Sequence, residues 1–133
     1  MSKVKDFLPE ISRPGEYVAF LNFNVPTKEG PAFIFMGSDG FSEFGFNICV
    51  EPDESPASII KAVYLLTEHK DFVRTLDKGF TLVFDRWEEL SERIEAVVKP
   101  VNGKILFNEK FHKKIAAPLV SSFSQFAIKG PKR

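Results

Sequence analysis

The chain has 133 residues, 44% hydrophobic and 27% charged, with a formal net charge of zero. This is the size of one domain, large enough to bury a core without disulfides or a structural metal, and too apolar and balanced for a disordered chain. Its single cysteine excludes an intramolecular disulfide framework, and no apolar run reaches the roughly 18–20 residues that span a bilayer.

The amino terminus, residues 1–12, holds no apolar stretch long enough for a secretory signal. With one cysteine, this points to a reducing, cytoplasmic compartment. A short helix is expected there, ending before the turn signal Arg13-Pro14-Gly15. From Glu16 to Val25 apolar residues alternate, with Tyr17, Ala19, Leu21, Phe23 and Val25 on one face and Val18, Phe20, Asn22 and Asn24 on the other. That period of two predicts a half-buried strand. Pro26 stops it and residues 27–30 turn.

A second strand is expected over Ala32 to Met36, a hairpin at Gly37-Ser38-Asp39-Gly40, and a third strand over Phe41 to Glu51. Phe44, Phe46, Ile48 and Val50 should share one face of that strand, with Cys49 on the opposite one. Ser55 followed by Pro56 marks a helix start, and Ile59, Ile60, Val63 and Leu66 form its apolar stripe. A second short helix, Asp71 to Lys78, should end at Gly79.

Phe80 to Phe84 reads as a short apolar strand. Asp85 with Glu88 resembles a capping box for a helix over 85–98, whose apolar side is Trp87, Leu90, Ile94 and Val97. Asn102-Gly103 turns into a strand from Lys104 to Phe107. Asn108 can cap a last helix, which Pro118 should kink or split near Ala116. The expected fold class is α+β: an antiparallel β-meander of three N-terminal strands plus one or two later strands, with helices packed on one face. One domain spans residues 1–133, with 1–12 and 129–133 as loose ends.

No constellation for chemistry stands out. His69 and His112 lack the neighbouring nitrogen or sulfur ligands of a zinc site and read as packing or solvated residues. Cys49 reads as a small buried hydrophobe rather than a nucleophile. Glu88, Glu89, Glu92 and Glu95 read as a solvated helix face, and Asn22, Asn24 and Asn47 as a solvent-facing side of the sheet, with a polar groove the minority alternative. No phosphate-cradling glycine loop occurs. No cofactor, metal or catalytic residue is therefore assigned.

Two features remain. The chain carries fifteen phenylalanines, and its charge is divided. Residues 1–100 hold 11 Lys/Arg against 17 Asp/Glu, whereas residues 101–133 hold 7 against 1. These nominate an interaction surface of Phe107, Lys110, Phe111, Lys113, Lys114, Phe123, Phe126 and Lys129. The expected function is a small non-catalytic regulatory protein working through protein–protein contacts, with a protein partner or a second copy as a homodimer and no membrane partner. The acidic helix could meet the basic last helix of a second subunit, or simply neighbour it within one fold. A nucleic-acid accessory role for the basic end is one alternative. An enzyme or small-ligand binder with an unmarked pocket in the sheet is the other.

Overall fold

The alternating segment after Gly15 forms β1, Tyr17–Thr27, which turns at residues 28–29 into β2, Gly30–Asp39. The two pair antiparallel from Val18↔Asp39 to Thr27↔Gly30. The computed structural model describes residues 8–69 and 78–129, with side chains of the last helix described as far as Ser122. The expected helix at residues 1–12 lies partly outside the described residues, and residues 8–12 are not helical. The helix expected over 71–78 lies outside them except for its last residue. Gly79, its expected cap, has the left-handed φ of 82°.

Strand β2 runs through the segment expected to turn, and the turn lies at residues 40–44. Asp39 organises it: its Oδ1 accepts from the Gly15 backbone N–H (3.0 Å), and its Oδ2 from the Ser42 hydroxyl (2.6 Å). Gly37 lies in the strand, paired with Phe20 and Phe46, and a Cβ there would lie 2.6 Å from the Phe46 ring. Strand β3, Gly45–Glu51, pairs antiparallel with β2, but its register shifts. Phe35 faces Cys49 while Met36 faces Asn47, so Ile48 is an inserted residue. A bulge of this kind inverts the alternation beyond it. Cys49 therefore packs against the core together with Phe46, and Val50 is exposed, the reverse of the expected facing.

Helix α1, Pro56–Thr67, starts as its sequence dictates: the Ser58 N–H donates to the Ser55 hydroxyl, and Pro56 takes the first turn. Strand β4, Phe80–Phe84, then pairs parallel with β1, with Val18 opposite Leu82. Helix α2, Ser91–Val98, leads to β5, Gly103–Phe107, which is parallel to β4. The sheet order is β3-β2-β1-β4-β5. The first three strands are the expected antiparallel meander, but the whole sheet is mixed. The reason is the connections: a strand joined through a long helical crossover returns in the same direction.

Helix α3, Glu109–Lys129, is capped by Asn108, whose Oδ1 accepts from the Phe111 N–H at 2.9 Å. Pro118 sits inside this helix without splitting it. The hydrogen bond lost at a helical proline costs about 3 kcal/mol, and the burial of Phe111, Ile115 and Ala116 in the preceding turns opposes that loss.

Helices cover both faces of the sheet, not one. Val18, Phe20, Leu82 and Phe84 join Ile59, Val63, Leu66, Ile94 and Val98 in one cluster under α1 and α2. Ala19, Leu21 and Val83 join Phe111, Ile115 and Ala116 in a second cluster under α3. A strand buried on both faces has no polar side, which explains why β4 reads as a nearly continuous apolar run. The acidic α2 and the basic α3 pack against opposite faces, so they are not packed neighbours within the fold.

Phe20 is the centre of the larger cluster. Its ring lies 5.3 Å from Phe84, 5.8 Å from Phe35 and 5.9 Å from Trp87. Phe20→Ala is expected to lower unfolding free energy by about 3–5 kcal/mol, and Ser55→Ala by about 1 kcal/mol. Urea denaturation of the two variants checks both the size and the order of these effects.

Candidate functional site

Strand β4 ends opposite Phe20, but β1 runs on past it to Thr27. From β1 the chain passes to β2 on one side, while β4 leads to β5 on the other. Where neighbouring parallel strands diverge in this way, a crevice is left outside their carboxyl ends. Here it is a cleft of about 540 Å³ floored by Leu21, Asn22 and Phe23 of β1. Asp85 and Arg86 enter from the end of β4, and Glu109, His112, Lys113 and Ala116 from the first turns of α3.

Asp85 does not cap a helix. Trp87 adopts a left-handed φ of 73°, a short 3₁₀ turn follows at Glu88–Leu90, and α2 begins only at Ser91, without a side-chain cap. The Asp85 carboxylate is thereby freed for the cleft. Its Oδ2 lies 3.9 Å from His112 Nδ1. Its Oδ1 lies 3.4 Å from Arg86 Nε, an ionic contact without hydrogen-bond alignment, and is buried with no hydrogen-bond donor. A buried carboxylate oxygen with no donor requires a nearby positive charge.

Arg86 supplies that charge and ties three elements together. Its Nη2 donates to Asn22 Oδ1 at 3.2 Å, and its Nη1 lies 4.0 Å from Glu54 Oε2. Asn22 Nδ2 in turn donates to the same Glu54 oxygen at 2.6 Å. The guanidinium also sits over the Trp87 ring, 4.9 Å from its centre.

His112 is buried, with only 6% of its surface exposed. Its Nε2 lies 2.9 Å from the Phe20 carbonyl oxygen. A carbonyl only accepts, so Nε2 carries the proton and Nδ1 faces Asp85. Read from sequence as a packing or solvated residue, His112 is buried and pins α3 to the middle of β1.

The structure separates the nominated surface residues. Phe111 is fully buried, with its ring edge-on to Tyr17 at 5.1 Å, and is not available to a partner. Phe107 is half-buried and stacks on Phe84 at 5.3 Å. Lys110, Lys113 and Lys114 are exposed, and Lys113 lines the cleft. Phe123, Phe126 and Lys129 lie on α3, beyond its described side chains. His69 packs against the Phe46 ring at 4.8 Å. Sequence reasoning missed Asn22, Glu54, Asp85 and Arg86 as a group. The available signal was an Asp-Arg pair directly after a nearly continuous apolar strand.

No protein-family model and no curated protein matches the sequence. Solved structures do match in fold. The chain is similar to the HTLV-2 integrase catalytic core domain in complex with magnesium, at 12% identity and a TM-score of 0.57, over 90% of this chain and 76% of that one. It is also similar to the catalytic domain of Mos1 mariner transposase, at 10% identity and a TM-score of 0.56, over 90% of this chain and 62% of that one. A chain of the simian T-cell lymphotropic virus intasome, solved with the PP2A regulatory subunit B56 gamma, matches at 12% identity and a TM-score of 0.56. This chain covers 87% of itself and 44% of that longer chain in the match.

The fold is therefore that of integrase and transposase catalytic cores. This corrects the expectation of a small non-catalytic regulatory protein working through protein–protein contacts. The polar cleft lies between β1, β4 and α3.

Magnesium and manganese accompany catalytic domains of this fold. The residues at this cleft do not fit such an ion. Among the described residues, no three His, Cys, Asp or Glu side chains group around a point that could hold a metal. The oxygens of Asp85, Asn22 and Glu54 are turned to a guanidinium.

Cys49 is chemically subdued. Burial first, and the nearby Glu51 charge second, push its thiol up to about 11. The thiolate is the reactive form, so Cys49 is expected to react slowly with a disulfide reagent near pH 8 and fast once the protein is unfolded. Thiol titration with and without denaturant checks this. Equal rates would show that the burial of Cys49 is not maintained.

Proposed function

We propose that this domain binds nucleic acid, with the phosphate backbone held in the cleft between β1, β4 and α3. The observation that supports this most is the placing of Arg86 and Lys113 at the cleft of a sheet shared with integrase and transposase catalytic cores. Arg86 offers a planar donor set suited to a phosphate and is about half exposed. Lys113 stands across from it on α3. Lys110, exposed one helical turn before Lys113, extends the positive rim along the helix, and the exposed Lys114 follows Lys113 directly. The nominated lysines thus keep a place in the reading, and the nominated Phe111 does not.

Lys113→Glu is expected to weaken binding of a fluorescent oligonucleotide uniformly across sequences. It should also lower the slope of log affinity against log salt by about 1, the signature of one lost phosphate contact. Fluorescence anisotropy at several salt concentrations measures both. Absence of binding to single-stranded and duplex DNA and RNA at low salt would end the proposal.

Self-association is a companion proposal. HTLV-2 integrase core is described in trimeric and dimeric forms. In this chain Phe41 and Phe44, 50% and 53% exposed, are close together in the β2–β3 turn. Sedimentation is expected to show a concentration-dependent dimer that Phe44→Ser weakens. A monomer at all concentrations would exclude it.

A further inference from the structure

We propose that the Arg86 guanidinium is the resident cation of the cleft, fixed by the chain at the point where a divalent ion would otherwise gather the surrounding oxygens. Three oxygens from three segments converge on it: Asp85 Oδ1 at 3.4 Å from Nε, Asn22 Oδ1 at 3.2 Å from Nη2, and Glu54 Oε2 at 4.0 Å from Nη1. Each faces a different nitrogen, so the guanidinium lies among them and not beside them. A magnesium or calcium ion would need these oxygens drawn to about 2.0–2.6 Å around one point. The planar cation already occupies that point.

The neighbourhood is built for a cation of fixed position. Asp85 Oδ1 is buried and accepts no hydrogen bond, so its charge is answered by the guanidinium alone on that side. Trp87 lies beneath the same group at 4.9 Å, and the Asn22–Glu54 hydrogen bond holds the other two oxygens in place. The left-handed Trp87 backbone separates the Asp85–Arg86 pair from the start of α2.

The consequence is twofold. The wild-type cleft takes no divalent ion, and anionic ligand oxygens meet protein nitrogen directly. The second clause rests on the nucleic-acid reading above. The first does not. Removing the guanidinium should leave two carboxylates and an amide oxygen facing one gap, which is a site for a hard cation.

Terbium titration tests this directly, because Trp87 is the chain's single tryptophan and would sensitise the emission of a terbium ion bound beside it. Wild-type protein is expected to give no saturable sensitised emission. Arg86→Gln is expected to give saturable emission that magnesium competes away, at an affinity about tenfold or more above the wild type, since a unit positive charge a few ångströms from the gap is removed. Arg86→Lys, which keeps the charge, is expected to stay silent. Saturable emission from wild type equal to that of Arg86→Gln would overturn the proposal, as would a folded Arg86→Gln protein that gains nothing.

Should Arg86→Gln fail to fold by circular dichroism, the wild type decides alone. No sensitised emission, with oligonucleotide affinity equal in EDTA and in magnesium, supports the proposal. Ion binding, or an affinity that requires magnesium, refutes it. A protein that binds neither nucleic acid nor terbium removes the function proposed above and leaves the resident cation standing.

Discussion

The parallel pairing of β1 with β4 is the constraint on which the rest of the molecule depends. It places Val18 against Leu82 and Ala19 against Val83 at the centre of the sheet. A strand pair in that position is covered on both sides, so α1 and α2 must take one face and α3 the other. The same pairing leaves the second half of β1 without a partner on its β4 side. The cleft is that missing length of strand, and α3 closes over it.

Electrostatics at the cleft follow from this geometry. Asp85 comes at the end of a mostly buried strand with its Oδ1 out of solvent, where a carboxylate oxygen is costly without a compensating charge. Arg86 answers it from the next position in the chain, and His112 Nδ1 of α3 lies 3.9 Å from the other oxygen of Asp85. Through its other nitrogen His112 is bonded to the carbonyl of Phe20, whose ring is the centre of the opposite cluster. Core and cleft are thus joined through one buried imidazole.

Much of this architecture was legible in the chain. The caps at Ser55 and Asn108 and the apolar run of β4 each follow from short-range chemistry and form as their residues dictate. Strand β1, expected to be half-buried and to stop at Pro26, is instead buried on both faces from Val18 to Leu21 and runs on to Thr27. Strand direction was less accessible, because Phe80 to Phe84 reads the same whichever way it pairs. The long connection before it was the sign of a crossover. The cleft was hidden for a different reason. Asp85 with Glu88 is a good local capping pattern, but the left-handed turn at Trp87 displaces the helix start and releases the carboxylate. Asn22 and Glu54 are 32 residues apart and meet only through the fold. Among the described residues Phe20, Phe35, Phe84 and Phe111 are fully buried, and the basic part of the chain contains one of these four.

The inserted Ile48 carries one more consequence. Strand β3 is an end strand of the sheet, and its outward side includes the exposed Val50. A regular edge of that kind is a template on which another chain can add a strand and begin to aggregate. The bulge breaks the even spacing of donors and acceptors in the middle of β3 and increases its local twist. One extra residue therefore also makes the edge a poor match for a foreign strand. It directs any association of copies away from sheet extension and toward side-chain surfaces.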